Sequence, residues 1–284
     1  MIDYNTSLHH LIAEGLKEDI GAGDYSTLCC IPAEQQGEAV LKIKENAILA
    51  GMQVAAAIFK YVEPHSTFIP LQKDGDAVKK GDQAFTVQAT THTILSCERL
   101  VLNCMQRMSG IATLTHQYTQ LLNGYHTQLL DTRKTTPNFR LLEKEAVRIG
   151  GGINHRIGLY DMIMLKDNHI DFCGGIIPAI EKAYAFVQQH KQQLKIEVEV
   201  RNIAEVNQVM AVGKINRIML DNFTPLQLKE ALSIIQGKFE TEASGGINLN
   251  NIQAYAETGV DFVSVGAVIH QAKSIDLSLK AIIL

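Results

Sequence analysis

The chain has 284 residues, 46% hydrophobic and 20% charged, with a formal net charge of −4. That composition suits a soluble globular protein of one or two domains and excludes the basic balance of a nucleic-acid-binding chain. No apolar run reaches the roughly 18 residues of a membrane span, and MIDYNTSLHH lacks the basic start and apolar stretch of a secretory signal, so a cytoplasmic protein is expected.

From the N-terminus, Leu8 to Glu18 reads as an amphipathic helix with Leu8, Leu11, Ile12 and Leu16 on one face, followed by a turn-rich loop from Asp19 to Asp24. From Gly37 to about Ala89 the pattern alternates as strands do, with one helix near Met52 to Tyr61 and turn signals at Asp74-Gly75-Asp76 and Lys80-Gly81-Asp82. The segment DGDAVKKGDQAFTVQA is similar to half of a lipoyl or biotinyl carrier domain, but no second half with a modifiable tip Lys follows, so it predicts a structural strand pair. Ile94 to Leu122 predicts one or two helices, apolar at Leu95, Leu100, Leu102, Met105 and Met108. Glu98 and Arg99 interrupt that apolar run, and Arg99 is either paired with a nearby acid or reaches into a neighbouring pocket. The five cysteines (Cys29, Cys30, Cys97, Cys104, Cys173) are odd in number and form no CxxC pair, which predicts buried free thiols rather than disulfides or a zinc site.

The stretch from Asp131 to His169 holds seven Lys and Arg against five acids, a net +2 in a chain whose remainder is −6. A local cationic island in an acidic protein suits a small anion. Gln128 to Thr132 and Asp161 to Leu165 predict short buried strands, each running into basic residues: Arg133 and Lys134 after the first, Lys166 after the second. Gly150, Gly151 and Gly152 allow a tight turn before Asn154, His155 and Arg156. Guanidinium groups clamp carboxylates in bidentate fashion, whereas Lys supplies a compact charge. Lys144 and Arg148, at helical spacing among Glu143 and Glu145, read instead as a solvated salt-bridge face.

Beyond this stretch the chain is periodic. The runs KIEVEV, RIMLD, FETEAS and FVSVG end at or near Glu199, Asp221, Ser244 and Gly266, separated by 22, 23 and 22 residues, with helical segments such as Ile203 to Val212 and Pro225 to Ile235 between them. This is the period of βα units in a parallel barrel, whose active-site groups sit at the C-terminal strand ends and whose last loops often hold phosphate. Arg133, Lys134, Lys166, Glu199 and Asp221 should therefore share one rim, with Ser244, Gly245, Gly246, Gly266 and Ala267 offering backbone N–H groups to a phosphate.

These residues resemble the quinolinate phosphoribosyltransferases over nearly the whole chain, through EDIGAGDYST, ENAILAG, ERLVLNCMQRMSGIAT, DTRKTTP, EKEAVRIGGGINHRIGL, LKDNH, EVEV, IMLDN, EASGGI and VSVGAVIH. The resemblance implies an N-terminal α/β sandwich domain over residues 1–110 and an open, TIM-like α/β barrel over 111–284, with the last helix packing back on the first domain. It implies transfer of phosphoribosyl from phosphoribosyl pyrophosphate to quinolinate with decarboxylation, giving nicotinate mononucleotide, pyrophosphate and carbon dioxide, with Mg²⁺ accompanying the phosphoribosyl substrate near Glu199 and Asp221. It places quinolinate against Arg133, His155, Arg156 and Lys166, with Arg99 supplied by the neighbouring subunit of a dimer or larger oligomer. The phosphoribosyl side falls on Lys134, Glu199 and Asp221, and the 5′-phosphate near Ser244, Gly245, Gly246, Gly266 and Ala267. Where the family commonly reads TTPGLR this chain reads TTPNFR, which leaves the conformation at Asn138 and Phe139 open. Two other readings remain: a related phosphoribosyltransferase-like protein of molybdenum metabolism, against which Asn154-His155-Arg156 and Lys166-Asp167-Asn168-His169 argue, and a phosphate-binding barrel that senses a metabolite without turnover.

Overall fold

The computed structural model describes residues 4–190 and 193–282. In chain order its elements begin with α1 (Tyr4–Ile20), α2 (Tyr25–Cys30), β1 (Gln36–Ile43), β2 (Ala47–Ile48), α3 (Met52–Val62), β3 (Thr67–Pro70), β4 (Ala77–Val78), β5 (Gln83–Thr90) and α4 (Thr91–Leu121). There follow β6 (Gln128–Leu130), α5 (Arg140–Ile149), β7 (Ile163–Leu165), α6 (Asp167–Cys173), α7 (Ile176–Gln189), β8 (Ile196–Val200), α8 (Ile203–Val212) and β9 (Arg217–Asp221). The chain closes with α9 (Pro225–Ile235), β10 (Glu240–Ser244), α10 (Ile252–Ala256), β11 (Phe262–Ser264), α11 (Ala267–His270) and β12 (Leu277–Ala281). Among the described residues no helix is long and apolar enough to cross a membrane.

The chain divides into two compact units: Met1–His116 with Thr135–Gly151 and Val268–Leu284, and Gln117–Lys134 with Gly152–Ala267. The division differs from a single cut after residue 110, because two later segments fold with the N-terminal part. The closing segment is the strand β12 rather than a helix, and it pairs antiparallel with β1 from Ala39↔Ala281 to Ile43↔Leu277. Helix α5 is tied in by ionic contact: Glu143, fully buried, accepts from Arg107 Nε and Nη2 at 3.0 and 2.8 Å, while Arg107 also donates to the carbonyls of Ile269 and Ala272. Lys144 is likewise buried, at 2% exposure, so the solvated-face expectation holds for Arg148, paired with Glu145, and fails for Lys144. A ten-residue helix with charges on several faces gives no local sign of which face is covered.

The first unit contains the antiparallel sheet β12-β1-β5-β3, packed on an aromatic cluster of Phe59, Phe68 and Phe85 with ring centroids 4.4 to 6.4 Å apart. The strands expected to pair across Lys80-Gly81-Asp82 part company: β4 pairs with β2, and β5 with β1 and β3. The turn redirects the chain through Gly81 at φ +101°, held by Lys79 N–H on Asp82 Oδ2 at 2.8 Å. Helix α4 runs unbroken from Thr91 to Leu121. Gly110 on it lies so close to the Lys273 carbonyl that a Cβ would collide with the oxygen. Cys97 and Cys104 are buried in this helix, and burial pushes both thiols up to about 12, whereas Cys29 and Cys30 at the end of the short helix α2 are exposed and Cys173 is half-buried. All five are free, but the expectation that they are buried fails for the vicinal pair.

The second unit is a parallel sheet in the order β6-β11-β10-β9-β8-β7, with Ile153 bridging to Leu130 on the free side of β6. Sequence order therefore runs around the sheet and returns to its start, as in an α/β barrel; among the described residues no ladder joins Ile153 to β7, so the barrel is open there. Val198, Val200, Ile218, Leu220, Ala243 and Val263 are fully buried on one face. Alternation puts Glu197 and Glu199, Arg217, Met219 and Asp221, and Glu242 and Ser244 on the other, in the register Glu199↔Met219 and Ser244↔Asp221.

Candidate active site

Because the strands are parallel, all their C-terminal ends open onto one rim, and the charged residues expected there arrive in order. Thr132, Arg133 and Lys134 follow β6, Lys166 follows β7, Glu199 lies near the end of β8, Asp221 ends β9 and Ser244 ends β10. Adjacent positions are in direct contact. Lys166 Nζ donates to Glu199 Oε2 at 2.6 Å. Ser244 Oγ donates to Asp221 Oδ1 at 2.6 Å, and Asn222 Nδ2 to Oδ2 at 2.7 Å, so both oxygens of Asp221 are held in place.

The glycines after β10 are required by shape. Gly245 and Gly246 have φ of +90° and +66°, and a Cβ on Gly245 would stand 2.1 Å from Asn222 Oδ1. Gly266 and Ala267 follow β11, where the four-residue helix α11 begins. Lys134 is exposed, its N–H on Thr132 Oγ1 at 3.1 Å.

Arg133 and Arg156 are both half-buried. Burial, followed by the neighbouring positive charge of Arg133, holds Arg156 below the usual guanidinium range. Two guanidinium groups that feel each other's charge form a site that an anion relieves. A depression of about 430 Å³ lined by Lys195, Asn216, Lys238 and Asp261 lies at the opposite, N-terminal ends of the strands, away from this chemistry.

His155 is placed differently from its neighbours. Its ring is turned into the barrel beneath the rim, 5% exposed, with Nε2 at 3.0 Å from Glu197 Oε2 and 3.2 Å from Glu242 Oε2. Burial alone lowers its pKa, but the hydrogen bonds and charges of the two glutamates outweigh it and push it up to about 9. Burial and the Glu242 charge in turn push Glu197 up to about 7. The Arg156 amide donates to His155 Nδ1 at 2.7 Å, a contact that favours the neutral ring and opposes the charge that the two glutamates favour; in either state Nε2 carries a proton. His155, Glu197 and Glu242 are also the one group of three metal-ligating residues found together among the described residues. Nε2, protonated in either state, has no lone pair to offer a metal ion, so the trio is an ion-paired group.

A histidine whose folded pKa exceeds its unfolded value of about 6.5 contributes stability that is present below that value and lost as pH rises through the folded one. The thermal midpoint is expected to fall between about pH 7 and 9.5, and to fall less in His155→Gln. Equal falls in both proteins would assign a neutral imidazole with its single proton on Nε2.

Arg99 lies in the first unit, exposed on α4, and makes no ion pair among the described residues. Asn138, in the departing loop, takes a left-handed φ of +61°, the conformation a glycine supplies most easily and Asn tolerates best among other residues. Asp131, Glu197, Arg217 and Glu242 are functional groups that strand-end position alone does not single out. The signal for the glutamates was present in the alternation of EVEV and ETEAS, which sets Glu197 beside Glu199 and Glu242 beside Ser244 on one face.

Comparison with known proteins shows the family. The model of the quinolinate phosphoribosyl transferase N-terminal domain matches residues 24–109 and that of the C-terminal domain residues 111–280. Quinolinate phosphoribosyltransferase [decarboxylating] 1b of Nicotiana tabacum is 43% identical over 96% of this chain and 82% of its own length. The probable nicotinate-nucleotide pyrophosphorylase [carboxylating] of Bacillus subtilis is 40% identical over 96% of this chain and 92% of its own. The solved nicotinate-nucleotide pyrophosphorylase of Francisella tularensis superposes with a TM-score of 0.91 at 39% identity, covering 99% of this chain and 98% of that one.

Proposed function

The chain belongs to the quinolinate phosphoribosyltransferase family, whose decarboxylating reaction in NAD biosynthesis it catalyses, and we propose that the reaction takes place at the C-terminal rim of the barrel with phosphoribosyl pyrophosphate as donor. What supports this reading is the meeting, on one rim, of the cations Arg133, Arg156 and Lys166 with the strand-end carboxylates Glu199 and Asp221.

Quinolinate brings two carboxylates. Arg133, Arg156 and Lys166 hold them and aim the ring nitrogen at the ribose C1, with Arg99 of the partner subunit completing the cationic wall. The nitrogen forms its bond to C1 as the C1–oxygen bond to pyrophosphate breaks, and Glu199 and Asp221 stabilise the positive charge that develops on the ribose. Lys134 faces the phosphates, and the turn at Ser244, Gly245 and Gly246, with Gly266 and Ala267, receives the 5′-phosphate through backbone N–H groups. The quaternised ring then accepts the electron pair released as the adjacent carboxylate departs as carbon dioxide, and a proton replaces it. No side-chain nucleophile is required.

Glu199 and Asp221 offer hard carboxylate oxygens on neighbouring strands, a donor set that fits Mg²⁺ carried with the donor substrate. The ion would supply neutralisation of pyrophosphate charge. The reading includes a cytoplasmic homodimer with shared sites: five free cysteines suit a reducing compartment, and the exposed Arg99 suits a partner's site.

The shared site is tested by mixing an Arg99→Ala subunit with a Lys166→Ala subunit, assayed at a quinolinate concentration low enough that each alone is nearly inactive. A mixed dimer contains one site with both defects and one with neither, so an equal mixture is expected to recover about a quarter of native activity. No recovery in subunits shown to exchange would assign Arg99 to its own chain.

A further inference from the structure

The segment Asn154–Arg156, which carries part of the cationic wall, is held from beneath by acids that cannot reach a substrate. Asp131, fully buried just beyond β6, accepts the His155 amide on Oδ1 at 2.8 Å and Asn154 Nδ2 on Oδ2 at 2.7 Å. On the other side Glu197 and Glu242, both fully buried, close on His155 Nε2, and Arg217 Nη1 donates to Glu242 Oε2 at 3.1 Å. Buried ionic groups of this kind are poor sources of net stability, since apolar replacements are often neutral or better. Their placement is informative in another way. Asp131 lies two residues before Arg133, and the segment it grips ends in Arg156, so one carboxylate is tied to the backbone of both guanidinium-bearing strands of chain.

We infer that Asp131 is a positioning residue for quinolinate: by bonding Asn154 and the His155 amide it sets the separation of Arg133 and Arg156 before substrate arrives, with Glu197 and Glu242 pinning the same segment through the His155 ring. The two guanidinium groups repel one another, and Arg156 already shows the effect of Arg133. Released from the clamp they would splay, and a rigid aromatic diacid would meet a pocket of the wrong width. The inference rests on the assignment of Arg133 and Arg156 to the quinolinate side.

The test uses steady-state kinetics of the full-length enzyme with both substrates varied, together with thermal midpoints. Asp131→Ala is expected to raise the KM for quinolinate about tenfold or more while leaving that for phosphoribosyl pyrophosphate within about twofold. Asp131→Asn, nearly isosteric, keeps an acceptor for the His155 amide and, with the Asn154 amide turned over, the second bond, so it is expected to change the quinolinate KM far less than the alanine; Asn154→Asp is the variant to use if the alanine fails to fold. Asn154→Asp alone sets two carboxylates face to face and is expected to raise the quinolinate KM as well. Combining Asn154→Asp with Asp131→Asn exchanges amide and acid across the same bond and is expected to restore the KM towards the native value. An unchanged quinolinate KM in Asp131→Ala and Asn154→Asp, or parallel changes in both KM values and the thermal midpoint, would overturn the clamp. Arg156→Ala is measured alongside: no effect on quinolinate there would overturn the substrate assignment itself, whereas an effect there without one at position 131 would overturn the clamp alone.

Discussion

Lys166→Ala is expected to raise the KM for quinolinate by at least about 30-fold, roughly 2 kcal/mol, and far more than that for phosphoribosyl pyrophosphate. Removing one member of a desolvated charge pair costs about 2–5 kcal/mol, and the lower end applies because the Lys166 side chain is 43% exposed. The same substitution strips Glu199, 10% exposed, of its 2.6 Å partner. A smaller fall in kcat should therefore accompany the binding defect, because Glu199 acts on the ribose side. Equal losses for the two substrates would count against placing Lys166 with quinolinate, and Lys166→Arg should recover part of the affinity by keeping the charge.

For Asp221→Asn the expected loss is in turnover, about 10²- to 10³-fold in kcat, with quinolinate binding nearly unchanged. That magnitude is the usual effect of losing one oriented electrostatic contact to charge that develops only in the transition state. The substitution is nearly isosteric: an oxygen remains to accept from Ser244 Oγ, and the exposed Asn222 is free to turn its amide. The geometry is thus kept while the charge is removed. A collapse of quinolinate binding would show that Asp221 belongs to the other side of the site.

The rim was legible because barrel geometry fixes the length of each βα unit. Spacing alone brought Glu199, Asp221, Ser244 and Gly266 to comparable positions, and α8, α9 and β9 fall on the segments expected for them. The charged layer beneath was not legible in the same way. A parallel strand buried on both faces is expected to be apolar throughout, so the alternation of EVEV and ETEAS puts Glu197 and Glu242 on the inner face without showing what they hold, which only the position of His155 between them shows. Arg99 and Arg107 stand on the same helix in similar local sequence, yet one is exposed and the other closes on buried Glu143. That difference is made by α5, distant in sequence. Asn138 could be decided only by its backbone, since the left-handed φ is a property of the loop and not of the residue.

The measurement that bears most directly on the central claim is release of labelled carbon dioxide from quinolinate carrying the label in the carboxylate beside the ring nitrogen. In this mechanism the carboxylate departs only after the nitrogen has been quaternised by ribose. Release is therefore expected to require phosphoribosyl pyrophosphate, to fall sharply when Mg²⁺ is chelated, and to match nicotinate mononucleotide formed one for one. Release without the donor, or without the nucleotide product, would contradict it.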